Sequence, residues 1–492
     1  MRRNEDEQRL LEEEQEEQAE DQNSTTAVDN GSFVPAFSPQ YSHDNDDERC
    51  LLHQEQGDEV IQLTNAPNSG ASLTYCVFYL LGIGTMTPWN FFVTAEDYWQ
   101  YKFRNTTLNG TLPVLDDEQL TPLQKSFTCD LALSATISGT TFLLLNAVYG
   151  HLVTLRAKML GTLGTILVLF GVTTGFVEVN TDQWQEQFFL ITLIIVVLLN
   201  ISAATMSGAL YGVAGLFPSE FMTAVVSGQA LGGILTALAF LLVLAFDAGP
   251  SATAFVFFVM GALLICGCIV CYLLVARQAY FKYYLAGGDK FKVICAQPAH
   301  SRSTVGTDEG VPLEPLLSKV LGKIYLQAIC LVLLYATTLS VYPSVTILME
   351  SEHSASHTQW TDVYYMPVVN YLFFNCGDYF GRLFAGWLEV PRNQQTTLLL
   401  TVVRVVFVPC FLCSNSGVHQ FLPTLVQHDY TFMAMIVAFA LSNGYLTNIL
   451  LIMAPRSVEQ HEKELAASIM AASLSVGMAI GSLISLAFVQ ML

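Results

Sequence analysis

The stretch Pro88-Trp89-Asn90-Phe91-Phe92-Val93-Thr94-Ala95 closes a run that is apolar from residue 72 onward, and about 20 such residues suffice to cross a bilayer as a helix. A proline, an indole and an amide at the end of such a run need partners, because an unsatisfied donor or acceptor in hydrocarbon is costly. Trp89 and Asn90 are therefore expected to face protein or a water-filled cavity rather than lipid. A cavity inside a bundle of spans points to a permeation route.

Outward from that stretch, runs of the length needed for ~30 Å of hydrocarbon recur near residues 72–95, 127–149, 159–178, 187–215, 222–246, 252–276, 324–349, 363–388, 397–414, 430–454 and 466–491. The expected fold is an all-α polytopic membrane protein with eleven transmembrane helices. Composition agrees: 52% of residues are hydrophobic, 13% are charged and the mean hydropathy is +0.45. Such a chain is not a soluble enzyme.

Lysine and arginine are retained on the cytosolic side of short loops, and here they orient the chain. With the N-terminus in the cytosol, the cytosolic connections hold Arg156, Lys158, Arg277, Lys282, Lys290, Lys292, Arg302, Lys319, Lys323, Arg392, Arg456 and Lys463. The opposite side holds only Lys102, Arg104 and Lys125, all in its first loop. That loop also carries glycosylation acceptor sequons at Asn105 and Asn109, which are used only on a lumenal or extracellular face. The two signals agree, and they put the C-terminus on the lumenal or extracellular side.

The formal charge of −21 is mostly a tail, since the first 60 residues hold 18 acidic against 4 basic side chains. Residues 1–70 bury too little apolar surface to fold and read as a disordered cytosolic segment, with a transient helix near residues 9–22. Within it, Asp6 with Leu10-Leu11 and Asp47 with Leu51-Leu52 fit the acidic dileucine pattern. Such motifs resemble sorting signals read by clathrin adaptor complexes, which makes the late endosome or lysosome membrane the expected destination and the plasma membrane the alternative. The chance origin of such spacing in an acid-rich tail is weighed against its occurring twice.

Six spans (71–277), a cytosolic loop (278–322) and five spans (323–492) give a 6+5 arrangement. Two-bundle transporters place a central site between the halves and open it alternately to each side. Most of the eleven cysteines sit in spans, where a thiol acts as a small apolar group. Cys268-x-x-Cys271 and Cys410-x-x-Cys413 lack partner histidines, so no metal site and no cofactor is expected.

Polar chemistry inside the spans is sparse. Asp378 and Arg382, four apart in the eighth span, share a helix face and neutralise each other; with Asn375 they form a candidate cavity-facing triad, against the bland reading of a structural clamp. Asp130 and Arg404 are lone charges nearer span ends, for which snorkelling or interhelical pairing is expected. Small faces at Gly208-x-x-x-Gly212, Ser227-Gly228-Gln229-Ala230-Leu231-Gly232-Gly233 and Gly477-x-x-x-Gly481 allow close helix approach. Gln229 is the one large polar group among them. Tyr342, Tyr371 and Phe374 offer faces for a planar ligand, although aromatics in spans more often pack or anchor.

The motif around Trp89, extended to Tyr98, occurs in order with Ser227-Gly228-Gln229, Asn375-x-x-Asp378-x-x-Gly381-Arg382 and Leu441-Ser442-Asn443-Gly444-Tyr445. Together these resemble the equilibrative nucleoside transporter family (solute carrier 29) over nearly the whole chain after residue 70, and the acidic dileucine tail is most similar to its endolysosomal branch. The resemblance implies an eleven-span relative of the major facilitator fold and facilitated passage of nucleosides, in some members of nucleobases or organic cations. It makes Trp89 the base-stacking wall, and Asn375, Asp378 and Arg382 the side that binds ribose hydroxyls and base edges; Asn90 is counted with the substrate-binding residues. Met478 falls at an apolar wall position of the last span, and Lys158 with Glu464 at a cytosolic gate. Ser207 stands where better-known members have a base-contacting glutamine, a departure that bears on base selectivity.

An acidic lumen would charge histidines, whose ordinary pKa is ~6.5; His353 with His357, then His419, His428 and Asp247, are the candidates for coupling transport to pH. The expected partners are a nucleoside, the bilayer and adaptor complexes, with no nucleic acid. The alternatives are a major-facilitator carrier of organic cations or sugars and a multi-pass receptor or channel.

Overall fold

The computed structural model describes residues 70–105, 121–246, 249–285, 313–415, 424 and 426–491. Both dileucine motifs, Asn109, Asp247 and His419 lie outside them, while Asn105 is described. Nearly all of the described chain is helical. The long helices are α1 (Ala71–Thr94), α2 (Pro122–Tyr149), α3 (Leu155–Glu178), α4 (Gln185–Ala214), α5 (Ser219–Phe246), α6 (Pro250–Val275), α7 (Leu313–Val341), α8 (Phe373–Leu388), α9 (Gln394–Val403), α10 (Asp429–Arg456) and α11 (Lys463–Met491). Among the described residues, ten helices are long and apolar enough to cross a membrane by length and composition. Their outward faces carry Leu133, Ile137, Val168, Leu190 and Leu263 exposed, which suits lipid contact and not water.

Local chemistry sets several boundaries. Thr121 opens α2 with a capping box: its hydroxyl accepts from the Gln124 N–H (3.2 Å), and Gln124 Oε1 accepts from the Thr121 N–H (2.9 Å). Where the sequence places its eighth span, two π turns, Trp360–Tyr364 and Pro367–Leu372, lead into the 16-residue α8, so this segment is not among the ten. After α9 the chain tightens into a 3-10 turn, Arg404–Val406, before a short helix, Phe407–Leu412. Pro409 explains the break, since it cannot donate to the carbonyl of Val405 and its ring crowds that group. The segment 278–322, expected as a cytosolic loop, is helical at both ends: α7 begins at Leu313, and Tyr280 and Phe281 pack on Phe217.

Helix pairing repeats between the halves. In the first, α1 packs on α5, α2 on α4 and α3 on α6; in the second, α7 packs on α11 and α8 on α10. Between halves, α5 lies along α8, and α2 and α4 meet α11. Glycines permit the closest approaches, as the small faces of the sequence lead one to expect. A Cβ on Gly82 would lie 2.3 Å from the Val225 carbonyl oxygen, and one on Gly228 2.1 Å from that of Tyr79, so α1 and α5 touch backbone to backbone. Gly381 and Gly444 do the same for α8 and α10, and Gly477 and Gly481 seat α11 on α7.

The Pro88–Ala95 stretch is two-sided. Pro88, Phe91, Phe92 and Ala95 are buried, whereas Trp89 and Asn90 are half-buried. Phe92 stacks on Trp99 with ring centroids 4.6 Å apart, and Trp99 Nε1 donates to the Phe92 carbonyl (3.0 Å). The core side of the stretch is thus fixed by aromatic packing, and the indole of Trp89 lies half-buried against the same core.

A Cβ at Gly444 would sit 1.9 Å from the Asp378 carbonyl oxygen, whereas one at Gly161 would meet nothing within 4 Å. Gly444→Ala is expected to cost at least the ~1–3 kcal/mol of core overpacking and to lower the thermal midpoint and yield of detergent-purified protein. Gly161→Ala is expected to leave both unchanged. Equal behaviour of the two variants would contradict the close α8–α10 contact.

Candidate functional site

Asp378 and Arg382 lie one turn apart on α8, with Oδ2 and Nη2 2.8 Å apart, and are 5% and 7% exposed. A buried ion pair holds only where the remaining lone pairs and protons are satisfied, because desolvation offsets most of the Coulomb gain. Here Asp378 Oδ1 accepts from Asn443 Nδ2 on α10 (2.7 Å), and Arg382 Nη1 donates to the Val226 carbonyl on α5. Among the described residues, Arg382 Nε has no hydrogen-bond partner. The phenols of Tyr211 and Tyr335 lie within electrostatic reach of both charges. A buried N–H without an acceptor, beside a carboxylate with lone pairs to spare, can hold a guest that offers both an acceptor and a hydroxyl.

The other expected site residues divide. Trp89 and Met478 are half-buried on α1 and α11 against the main core. Tyr342 stacks on Phe374 with centroids 3.6 Å apart and planes at 10°, so one of its faces is taken. Asn375 is not tied to the Asp378–Arg382 pair as the triad expected: Nδ2 donates to the Tyr371 carbonyl one turn back (2.8 Å), and Oδ1 lies where a Gly233 side chain would go. Gln229 is engaged at both ends, Oε1 by the Tyr211 hydroxyl (2.7 Å) and Nε2 on Thr85 Oγ1 (3.0 Å). Ser207 is buried one turn before Tyr211 on α4, and Asn90 is half-buried with its carbonyl accepting from Thr94 Oγ1 (2.7 Å).

Several polar residues at this level carry no role in the sequence reading. Arg404, read there as a lone charge, is 2% exposed and does not snorkel: it pairs between helices with Ser442, Thr338 and the carbonyls of Leu334 and Phe439. Asn448 Nδ2 donates to the Arg382 carbonyl (2.7 Å) and to Thr223 Oγ1 (3.1 Å), which ties α10 to α8 and α5. Tyr79 donates to the Tyr379 hydroxyl (2.8 Å), joining α1 to α8. Asn443 was visible in the Leu441–Tyr445 motif, but nothing in the motif says which charge it serves.

At the end that the basic loops assign to the cytosol, Arg456 grips Glu389 through Nη1 (3.0 Å) and Nη2 (2.8 Å), and both residues bond Ser219, the first residue of α5. Burial acts to raise the Glu389 pKa, but the hydrogen bonds from Arg456 and Ser219 and the charges of Arg456 and Arg392 outweigh it and hold it below the usual carboxylate range. Glu462, its side chain fully buried, lies between Lys319 (2.9 Å) and Lys323 (2.6 Å). Glu464 packs on Gly212 of α4, and Lys158 lies beside Gly150 at the end of α2. At the opposite end, His353 and His357 serve different carboxylates and not each other. His353 faces Glu352 (3.7 Å) and Asp429 (3.9 Å), His357 faces Asp362 (3.5 Å), and His428 faces Glu352 (2.9 Å).

With this geometry in hand, similarity to known proteins is extensive. A family model described as nucleoside transporter matches residues 193–490. The chain is 32% identical to human equilibrative nucleoside transporter 2 over 460 residues, covering 87% of this chain and 99% of that one. It is 30% identical to rat equilibrative nucleoside transporter 3 over 415 residues, covering 83% and 87%. Among solved structures, the major facilitator proton:xylose symporter XylE superposes with a TM-score of 0.52 at 10% identity, covering 84% of this chain and 87% of that one, a likeness of fold alone.

Because the folded pKa of Glu389 is depressed, the stability its pairing contributes is present above the ordinary carboxylate value of 4.5 and is lost as pH falls through the lower folded value. The melting temperature of Glu389→Gln should therefore fall short of the wild type by most at pH 7 and by least near pH 3. A gap that stays constant over that interval would mean that the Arg456 clamp does not contribute.

Proposed function

The chain belongs to the nucleoside transporter family, and on that premise we propose that it is a facilitative carrier, not an enzyme, that moves nucleosides across a membrane by alternating access, with nucleobases as a further substrate class. The single observation that carries the site is the buried Asp378–Arg382 pair with its unpartnered Nε. Ribose hydroxyls can donate to the carboxylate, and ring nitrogens or carbonyl edges of a base can accept from the guanidinium. Trp89 supplies an apolar face for the base and Met478 an apolar wall, with Tyr342 offering its second face. Asn90, Ser207 and Asn375 complete the proposed lining, while Gln229 holds α1, α4 and α5 in register behind it.

The repeated pairing of first with fifth and second with fourth helices supports two related bundles, six spans and five, with the π-wound segment and α8 as the eighth span. Among the described residues, no helix of the second bundle corresponds to α6. Rocking of one bundle on the other would open the ends alternately. At the cytosolic end the Ser219–Glu389–Arg456 clamp and the region of Lys158 and Glu464 form the gate. Two buried guanidiniums against one carboxylate argue against organic cations as substrates.

The proposed setting is the late endosome or lysosome membrane, reached through adaptor recognition of Asp6-Leu10-Leu11 or Asp47-Leu51-Leu52, with the N-terminus cytosolic and Asn105 and Asn109 glycosylated on the lumenal side. There the lumenal end, where His353 and His428 face Glu352 and Asp429, is the proposed place at which pH acts on export. His428→Ala should flatten the pH profile of uptake between pH 5 and 7, and a profile identical to the wild type removes this cluster from the coupling.

Protein with all four leucines replaced by alanine should reach the cell surface and take up labelled uridine or adenosine. In that background Trp89→Ala removes a stacking surface worth ~1–3 kcal/mol per base and is expected to raise KM about tenfold with surface expression retained. Asp378→Asn should abolish measurable uptake. Absence of nucleoside uptake by folded surface protein defeats the proposal, and near-normal uptake by Trp89→Ala moves the base elsewhere.

A further inference from the structure

Arg404 is 2% exposed, and among the described residues no carboxylate forms an ion pair with it. All three of its nitrogens nevertheless donate. Nε donates to Ser442 Oγ (3.0 Å), Nη2 to the Phe439 carbonyl (3.0 Å), and Nη1 to the Leu334 carbonyl (3.2 Å) and Thr338 Oγ1 (2.7 Å). The guanidinium also lies 4.0 Å over the Phe439 ring. The 3-10 turn that Pro409 imposes on the ninth segment sets this residue between α7 and α10.

The consequence runs through Thr338. Its hydroxyl has one proton and two acceptors at 2.8 Å, the Leu334 carbonyl of its own helix and Asn443 Oδ1. A threonine in a helix ordinarily donates back to the carbonyl four residues earlier. Here that carbonyl already receives a charged donor from Arg404, and the threonine oxygen accepts a second, so the hydroxyl proton is directed to Asn443. With Oδ1 accepting, Asn443 must present Nδ2 to Asp378 Oδ1, which it does at 2.7 Å; the flipped amide would set two acceptors against each other there. The carboxylate is then held at both oxygens, Oδ1 by Asn443 and Oδ2 by Arg382, and each oxygen keeps a further lone pair.

We infer that Arg404 is a positioning residue for the Asp378 carboxylate, acting through the Thr338 hydroxyl and the Asn443 amide, and that this relay sets recognition of the substrate's sugar hydroxyls. The inference rests on the proposed role of Asp378 in binding nucleosides. Charge on Arg404 polarises the relay toward the carboxylate, and four helices, α7 through α10, are locked to one orientation of one side chain.

The test uses the full chain in proteoliposomes, with uridine and 2′,3′-dideoxyuridine as the two substrates. Thr338→Val keeps the shape of the side chain and removes the relay. It should raise the KM for uridine about tenfold, leave maximal turnover within about twofold, and change the KM for dideoxyuridine by less than twofold; Thr338→Ser should restore the uridine KM. In an Asn443→Ser background, where the link is already cut nearer the carboxylate, Thr338→Val should add nothing. If Thr338→Val does not fold, Asn443→Ser alone must give the same split between the two substrates. Equal losses for both substrates, a loss in turnover alone, or additive effects of the two substitutions overturn the relay. Wild-type protein that transports neither substrate defeats the nucleoside reading itself, a result distinct from any of these.

Discussion

The Asp378–Arg382 pair is the constraint around which the second half of the molecule is arranged. Removing either partner would leave an uncompensated buried charge, so every neighbour that completes the pair is held in place by it. Gly381 and Gly444 let α8 and α10 meet backbone to backbone. That contact brings the flanking amides of Asn443 and Asn448 within hydrogen-bond range of Asp378 and the Arg382 carbonyl. Close approach and polar satisfaction are therefore one device: a side chain at position 444 would separate the helices and strand the charges together.

The first half repeats the device with neutral groups. Gly82 and Gly228 bring α1 and α5 together, and the neighbouring amide, Gln229, reaches across to Thr85 and Tyr211. An amide beside a glycine at a tight helix crossing is thus used in both halves, once among hydroxyls and once against a carboxylate. The halves are joined at the same level by Arg382 to the Val226 carbonyl, Asn448 to Thr223 and Tyr79 to Tyr379. In the proposed carrier the charged half recognises the substrate and the neutral half supplies the frame and the aromatic wall.

The sequence was legible wherever one residue type has one physical use. Apolar runs gave the helices, and paired glycines marked the crossings that the structure shows. Asp378 and Arg382, four apart in an apolar segment, could be paired from spacing alone. Arg404 could not, because its partners are a threonine, a serine and two carbonyls from α7 and α10, none distinctive in sequence. Asn375 lies one turn from Asp378, as periodicity puts it, but spacing does not reveal that its Nδ2 donates to the carbonyl of Tyr371 in the π-wound segment. The winding of that segment was itself invisible, since π and α turns share the same apolar composition.

A site already complete in its own hydrogen bonds leaves little for a guest to satisfy, and that suits a carrier. What remains open is one N–H of Arg382, spare lone pairs on Asp378 and the faces of Trp89 and Tyr342. A hydrogen bond to a charged group contributes about 1.5–3 kcal/mol and stacking on an aromatic about 1–3 kcal/mol. One such hydrogen bond with one stacking face, about 2.5–6 kcal/mol together, corresponds to dissociation constants of roughly tens of micromolar to ten or more millimolar. Tighter binding would slow release on the far side. In the proposed carrier the buried charges, held rigid by their own network, select hydroxyls and base edges by geometry while leaving the affinity low enough for passage.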